Sequence, residues 1–279
     1  MQAEQSLKDG DLQGALGQLQ EQVRKEPANA SYRVFLFQLL SVTGEWGRAL
    51  TQLDVAGDLD AGTLAMVQTY REALRCEVLR AEVFAGKRSP LVFGDPGQGT
   101  ALVLEALKLS AGNEHVLAQQ LIDKAYEVIP TTSGAINDEP FEWIADADSR
   151  IGPYLEAIVN GQYYWIPFHR ISRIQVDEPE DLRDMVWMPA HFTWANQGEA
   201  VGLIPARYPG SETSEDPFVR LTRKTEWLDM GEDVYHGLGQ RVLATDAGEY
   251  SLLDVRDIVL HSSDSAGEAQ EQPVTSQGE

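Results

Sequence analysis

Cysteine is almost absent from this 279-residue chain. Cys76 alone cannot close an internal disulfide, and one thiol cannot build a cysteine-based zinc cluster. That scarcity suits a reducing compartment, and the expected location is the cytoplasm. Positive charge is scarce too: 22 Lys and Arg face 44 Asp and Glu, a formal charge of −22. Such an excess repels phosphate backbones and anionic lipid, so nucleic acid and membrane surfaces are excluded as partners. No window reaches the roughly 18 consecutive apolar residues that a membrane-spanning helix needs. The start, Met1 to Gly10, lacks the basic and apolar regions of a secretory signal.

Signatures of chemistry are equally thin. His115, His169, His191, His236 and His261 are scattered, with no H-x-x-x-H pair and no second thiol to share a metal. The glycine-rich run Gly94-Asp95-Pro96-Gly97-Gln98-Gly99-Thr100 opens a helix but lacks the Lys-Ser/Thr of a phosphate loop. No G-x-S-x-G elbow occurs. No arrangement of residue types and spacing demands an enzyme, and no catalytic residue, metal site or cofactor is expected.

What the chain does have is uneven. A hydrophobic content of 43% and six Trp describe a folded globule. Five of the Trp (Trp143, Trp165, Trp187, Trp194, Trp227) lie beyond residue 130, and residues 131–262 carry 23 acids against 10 bases. The length also suggests two domains. The turn-forming run Thr131-Thr132-Ser133-Gly134 after Pro130 separates an expected helical domain, 1–130, from an acidic Trp-rich domain, 135–262. Residues 263–279, nearly devoid of apolar side chains, are expected to be a disordered tail.

A repeat organises the first part. Gly10–Leu19 (GDLQGALGQL) and Gly44–Leu53 (GEWGRALTQL) lie 34 residues apart and share Gly, Ala, Leu, Gln and Leu in register. That is the tetratricopeptide period, in which Gly turns the chain between antiparallel helices and Ala lets them approach. Pro27 ends the first unit, and Ala118, Ile122, Ala125 and Pro130 give a third echo. Ala30–Thr43 and Ala61–Ala85 have helical spacing, and about six helices are expected before Pro130. Stacked helix pairs make a curved α-α superhelix whose concave side takes a peptide or helix. Val34, Gln38, Val42 and Tyr70 are the expected groove residues. In a plain helical bundle, Tyr32, Phe35 and Tyr70 would instead be ordinary core.

In the second part, Phe141–Asn160 has helical character with a break at Gly152-Pro153. Short β-rich runs follow: Tyr163–Phe168, Ile171–Val176, Met185–Met188, Phe192–Trp194, Val201–Pro205, Val219–Trp227, Arg241–Thr245 and Ile258–His261. The expected fold is α+β, with a small bent sheet or partly open barrel. The carboxylates of Asp138, Glu139, Glu142, Asp146 and Asp148 are dense enough to suggest a divalent-metal-dependent enzyme as an alternative function. Glu142, Asp146 and Arg150, however, have the i, i+4, i+8 spacing of helix-surface ion pairs.

Several strings resemble one family. They are Asp146-Ala147-Asp148-Ser149-Arg150-Ile151-Gly152-Pro153, Tyr163-Tyr164-Trp165-Ile166-Pro167, Asp181-Leu182-Arg183-Asp184 with Trp187, Pro205-Ala206-Arg207-Tyr208-Pro209, Lys224-Thr225-Glu226-Trp227 and Gly237-Leu238-Gly239-Gln240-Arg241. They are similar to the ImpE/TagJ (SciE) accessory proteins of bacterial type VI secretion systems. The resemblance implies a tetratricopeptide-like domain joined to an α+β domain and a non-enzymatic adaptor role in the cytoplasm. It also implies binding to an N-terminal helix of the small sheath subunit TssB and a link to the ClpV ATPase that recycles contracted sheath. It supplies no catalytic residues. With so few bases among the acids, Arg150, Arg183, Arg207 and Arg241 are expected to form fixed pairs with Asp146, Asp148, Asp181 or Asp184. The alternative is an exposed recognition patch of Trp165, Trp187, Trp227 and these arginines.

Overall fold

The repeat glycines set the first turns. In the computed structural model, which describes residues 2–94, 96–231 and 234–261, Gly10 and Gly44 have φ of +81° and +73°. They close α1 (Gln2–Lys8) and α3 (Ala30–Val42) against the helices that follow, α2 (Leu12–Lys25) and α4 (Trp46–Leu59). Asp11 caps α2 by accepting the Gly14 N–H at 2.8 Å, and Asn29 caps α3 through the N–H of Ser31 at 3.1 Å. Ala15 and Ala49, then Leu19 and Leu53, are all fully buried, so the 34-residue register becomes paired core positions. A long α5 (Leu64–Phe84) and the hairpin of α6 (Gln98–Ala111) and α7 (His115–Val128) follow, seven α-helices among the described residues where about six were expected.

The rest of the chain is mostly strands: β1 (Leu91–Val92), β2 (Ser133–Ile136), β3 (Glu139–Phe141), β4 (Ile144–Asp146), β5 (Tyr154–Val159), β6 (Gln162–Pro167), β7 (Ile171–Val176), β8 (Trp187–Trp194) and β9 (Glu199–Pro205), then a short α8 (Pro217–Arg220), β10 (Thr225–Asp229), β11 (Tyr235–Gly239), β12 (Val242–Thr245), β13 (Glu249–Ser251) and β14 (Asp257–His261). The main sheet has nine strands in the order β1-β6-β5-β9-β8-β7-β14-β2-β3, flanked by a three-stranded sheet β13-β12-β4 and the hairpin β10-β11. A helical region followed by a mixed-sheet α+β unit is thus the fold, with a larger sheet than the small one expected. Its first strand, β1, comes from the connection between α5 and α6 and pairs in parallel with β6.

Three local expectations are corrected. Phe141–Asn160 is not helical: it forms β4, a turn and β5. Asn160 and Gly161, with φ of +50° and +72°, turn β5 back onto β6. Of Met185–Met188, Trp187 and Met188 join Phe192–Trp194 in one strand, β8, entered through a 3-10 turn at Leu182–Met185, and Val219–Trp227 divides between α8 and β10. The expected tail, 263–279, lies outside the described residues.

Strand β5 shows how the core is divided. Alternate side chains of a strand point to opposite faces, and Tyr154 and Ile158 join a core shared with the helices, while Leu155, Ala157 and Val159 pack on the other face with Ile166, Phe168 and Ile174. The helices and one sheet face therefore have a common core, running from Ala3 to Leu221. At its centre Trp187 of β8 stands among Trp46 of α4 and Tyr70 of α5, with ring centroids 6.1 and 5.7 Å away.

Candidate functional site

A cleft of about 610 Å³ opens where α1 and α3 meet the segment Pro179–Met185. Leu7, Val34, Phe35, Leu182 and Met185 make its walls apolar, and Gln38 lies among them. Asp184 holds the third wall by accepting the backbone N–H groups of Glu180 and Asp181 at 2.9 and 2.8 Å, a capping box on the 3-10 turn. Four acids line the cleft, Glu4, Asp60, Glu180 and Asp181, against Lys8 and Arg223. Arg223 donates to the carbonyls of Leu7 and Lys8, which ties the end of α1 to the second half.

Of the four expected groove residues, Val34 and Gln38 line this cleft. Val42 does not; it is fully buried, because Arg207 covers the end of α3 and donates to the carbonyls of Ser41 and Val42 at 2.9 and 2.8 Å. A guanidinium at a helix C-terminus satisfies orphan carbonyls and meets the negative end of the dipole. Tyr70 is buried too, packed at a tilt against Trp187 and with the Arg183 guanidinium 5.1 Å from its ring centroid. It borders a separate cleft of about 740 Å³ between α5 and strands β5, β8 and β9. The helical array's face is thus partly filled by the chain's own second half.

Behind these clefts lies a buried ionic network that joins α5 to the sheet. Glu156, fully buried on β5, accepts from Arg80 of α5 at 2.7 and 2.9 Å and also from Arg241 and the Tyr163 hydroxyl. Burial alone would raise its carboxyl; Arg80 and Arg241 reverse that and hold it at about 2. Arg241 also pairs with Asp146 and donates to the Pro205 carbonyl at 2.9 Å. The Asp146 carboxyl is pushed up to about 6, by burial first, with Arg241 opposing and Asp148 adding to it. Arg80 reaches the Arg207 carbonyl at 2.9 Å and Glu77 at 3.4 Å, and Glu77 accepts the Trp187 indole N–H at 2.9 Å. Burial brings Arg207 itself down to about 10, so it stays charged at neutral pH.

The expected ion pairs divide. Asp148 holds Arg150 at 2.8 Å and the Gly237 N–H at 2.8 Å; Arg183 pairs with Asp181 and lies 3.9 Å from Asp184; Arg241 pairs with Asp146. Arg207 bonds carbonyls instead. Glu142, Asp146 and Arg150 do not form a helical ladder, since the segment is not a helix. The recognition patch is corrected as well: Trp165 and Trp187 are 1% and 0% exposed, Arg207 and Arg241 2% and 0%, and Trp227 alone of the three Trp reaches the surface. Trp165 instead donates its indole N–H to the Tyr163 hydroxyl at 2.7 Å.

The carboxylate-rich stretch does not assemble one ligand set. Asp138, Glu139 and Glu142 are exposed, while Asp146 and Asp148 are buried and matched to Arg241 and Arg150. Among the described residues no group of three or more His, Cys, Asp or Glu is placed to hold a metal ion, and no helix is long and apolar enough to cross a membrane. Burial pushes the Cys76 thiol up to about 12, which leaves it unreactive at neutral pH. His115 and His236 do meet, with ring centroids 5.4 Å apart and Ser110 3.2 Å from His236. Glu77, Arg80 and Glu156, the centre of the network, escaped the reading of the sequence; the signal was a lone Glu inside the otherwise apolar Tyr154–Val159.

Comparison with known proteins places these features in company. Residues 138–259 match the family described as ImpE protein. The type VI secretion system accessory component TagJ of Pseudomonas aeruginosa is 50% identical over 264 residues, covering 95% of this chain and 92% of that protein. A crystal structure of a Vibrio parahaemolyticus protein superposes with a TM-score of 0.85 at 24% identity, covering 95% of this chain and all of that one, so it shares the fold.

Proposed function

Since this chain belongs to the ImpE/TagJ family, we propose that it is a non-enzymatic, cytoplasmic adaptor of a type VI secretion system. Its partner in this reading is an N-terminal helix of the small sheath subunit TssB, and its role is to assist sheath assembly or recycling linked to ClpV. The observation that carries the reading is the cleft between α1, α3 and Pro179–Met185. An apolar wall of Leu7, Val34, Phe35, Leu182 and Met185 suits the apolar stripe of an amphipathic helix. The acids Glu4, Asp60, Glu180 and Asp181 around it suit Lys or Arg on that helix's flanks.

Isothermal titration of the full chain with a peptide of the TssB N-terminus tests this. Saturable binding that is lost in the Val34→Glu, Gln38→Ala double variant is the expected result. Absent binding, or binding indifferent to that variant, overturns the cleft assignment.

A further inference from the structure

Where α7 runs out toward β2, a third cleft, apolar and of about 370 Å³, is lined by Ile129, Pro130, Ile144, Pro153 and Phe168. Tyr126 and Trp143 stand at its mouth, 46% and 40% exposed. Exposed aromatic rings beside a concave apolar wall have the composition of an interface hot spot. The wall is preorganised: the Asp246 carboxylate accepts the backbone N–H groups of Glu142 at 2.7 Å and Trp143 at 3.3 Å, which fixes the segment carrying Trp143.

Acidic side chains outnumber basic ones in the segments beside the cleft, where Lys124 of α7 and Arg170, two residues past Phe168, are exposed bases. Asp123 lies one helical turn before Tyr126, Glu127 follows it, Glu142 precedes Trp143, and Asp246 holds both of the latter two; all four acids are exposed. Lys124 is the one Lys or Arg of α7. None of these residues belongs to the cleft at α1 and α3 or to the buried ionic network.

We propose that this cleft docks a short segment of a partner protein that carries a large apolar side chain flanked by Lys or Arg. The apolar wall takes the side chain, and the four carboxylates attract and orient the flanks. The same charges argue against the other occupants: a second copy of a chain of −22 is repelled, and so is anionic lipid. An uncharged ligand would leave the acidic surroundings without a role.

Fluorescence polarisation on the full chain tests the proposal with three short labelled synthetic peptides: a Trp-Leu pair flanked by lysines, the same pair flanked by glutamates, and the lysine peptide with Ser-Ser in place of Trp-Leu. The first is expected to bind at least about tenfold more tightly than the other two. Trp143→Ala, and separately Glu127→Lys with Glu142→Lys, are each expected to weaken it by about tenfold. A thermal melt of each variant verifies folding, and if Trp143→Ala is unfolded, the exposed charge pair alone carries the test. Failure of the first peptide to bind, equal binding of all three, or indifference of its binding to the folded variants overturns the proposal. None of these outcomes bears on the TssB titration.

Discussion

Glu156 is the residue on which the two halves of the ionic network converge, since Arg80 comes from a helix and Arg241 from the connection between β11 and β12. Removing its charge leaves two buried guanidiniums with too little to answer them, and breaking a buried pair in this way costs about 3–5 kcal/mol. Glu156→Gln is therefore expected to lower the unfolding free energy by an amount in that range, measured by urea unfolding; a loss under about 1 kcal/mol would show that the network is not what secures the contact. The pH dependence has a definite sign. The folded carboxyl, at about 2, lies below its ordinary 4.5, so its stabilisation is complete above pH 4.5 and is lost as pH falls toward 2. The variant is expected to lack that part of the acid-side decline. Asp146, pushed up to about 6, works in the opposite direction, destabilising as pH rises from 3.8 toward 6; because the Glu156 charge is one of the causes that raise it, the variant is expected to lose part of that decline as well.

At the scale of elements, the repeat ties helix turns to the second half. A Cβ on Gly10 would stand 3.3 Å from Phe218 and Pro217, and one on Gly44 only 2.5 Å from Cγ of Glu212. Gly44→Ala thus meets both a left-handed backbone and a crowded neighbour, and is expected to cost more than about 1 kcal/mol. Gly17, inside α2 with nothing near its missing Cβ, is the internal contrast: Gly17→Ala is expected to gain about 0.5–1 kcal/mol. Differential scanning calorimetry on both variants checks the pair, and equal shifts would remove the special role of the turn. These glycines, and the helices they separate, were legible because short-range spacing determines them. The stretch Phe141–Asn160 was not, although its Asn160-Gly161 pair between apolar runs was a hairpin signal. There the spacing of Glu142, Asp146 and Arg150 imitated a helix face, and the true partner of Asp146, Arg241, is 95 residues away in sequence. Val34 and Gln38 could be placed from periodicity alone; the burial of Val42 and Tyr70 depended on Arg207, Arg183 and Trp187, which arrive from the other half.

For the molecule as a whole, the boundary near residue 130 marks a change of composition, and the core continues across it. Trp187 fills a slot between α4 and α5, Arg207 closes the end of α3, Arg80 leaves its helix to meet Glu156, and β1 leaves the helical half to extend the sheet. A fragment of residues 1–132 would expose the apolar slot around Tyr70 and Trp46 to water and leave Arg80 without Glu156, with only Glu77, 3.4 Å away, to answer it. Full burial of one aromatic side chain contributes about 1.5–3 kcal/mol, a large share of the 5–15 kcal/mol by which a domain is stable. The fragment is accordingly expected to retain helical circular dichroism but to bind 8-anilinonaphthalene-1-sulfonate and to melt without a sharp transition. The full chain is expected to unfold once, with helix content and tryptophan fluorescence changing together. A cooperative melt of the fragment at the parent temperature would mean that the helical half stands alone. In that case the clefts described above would have to be regarded as joints between two independent bodies, and Pro179–Met185 as a wall able to leave α3.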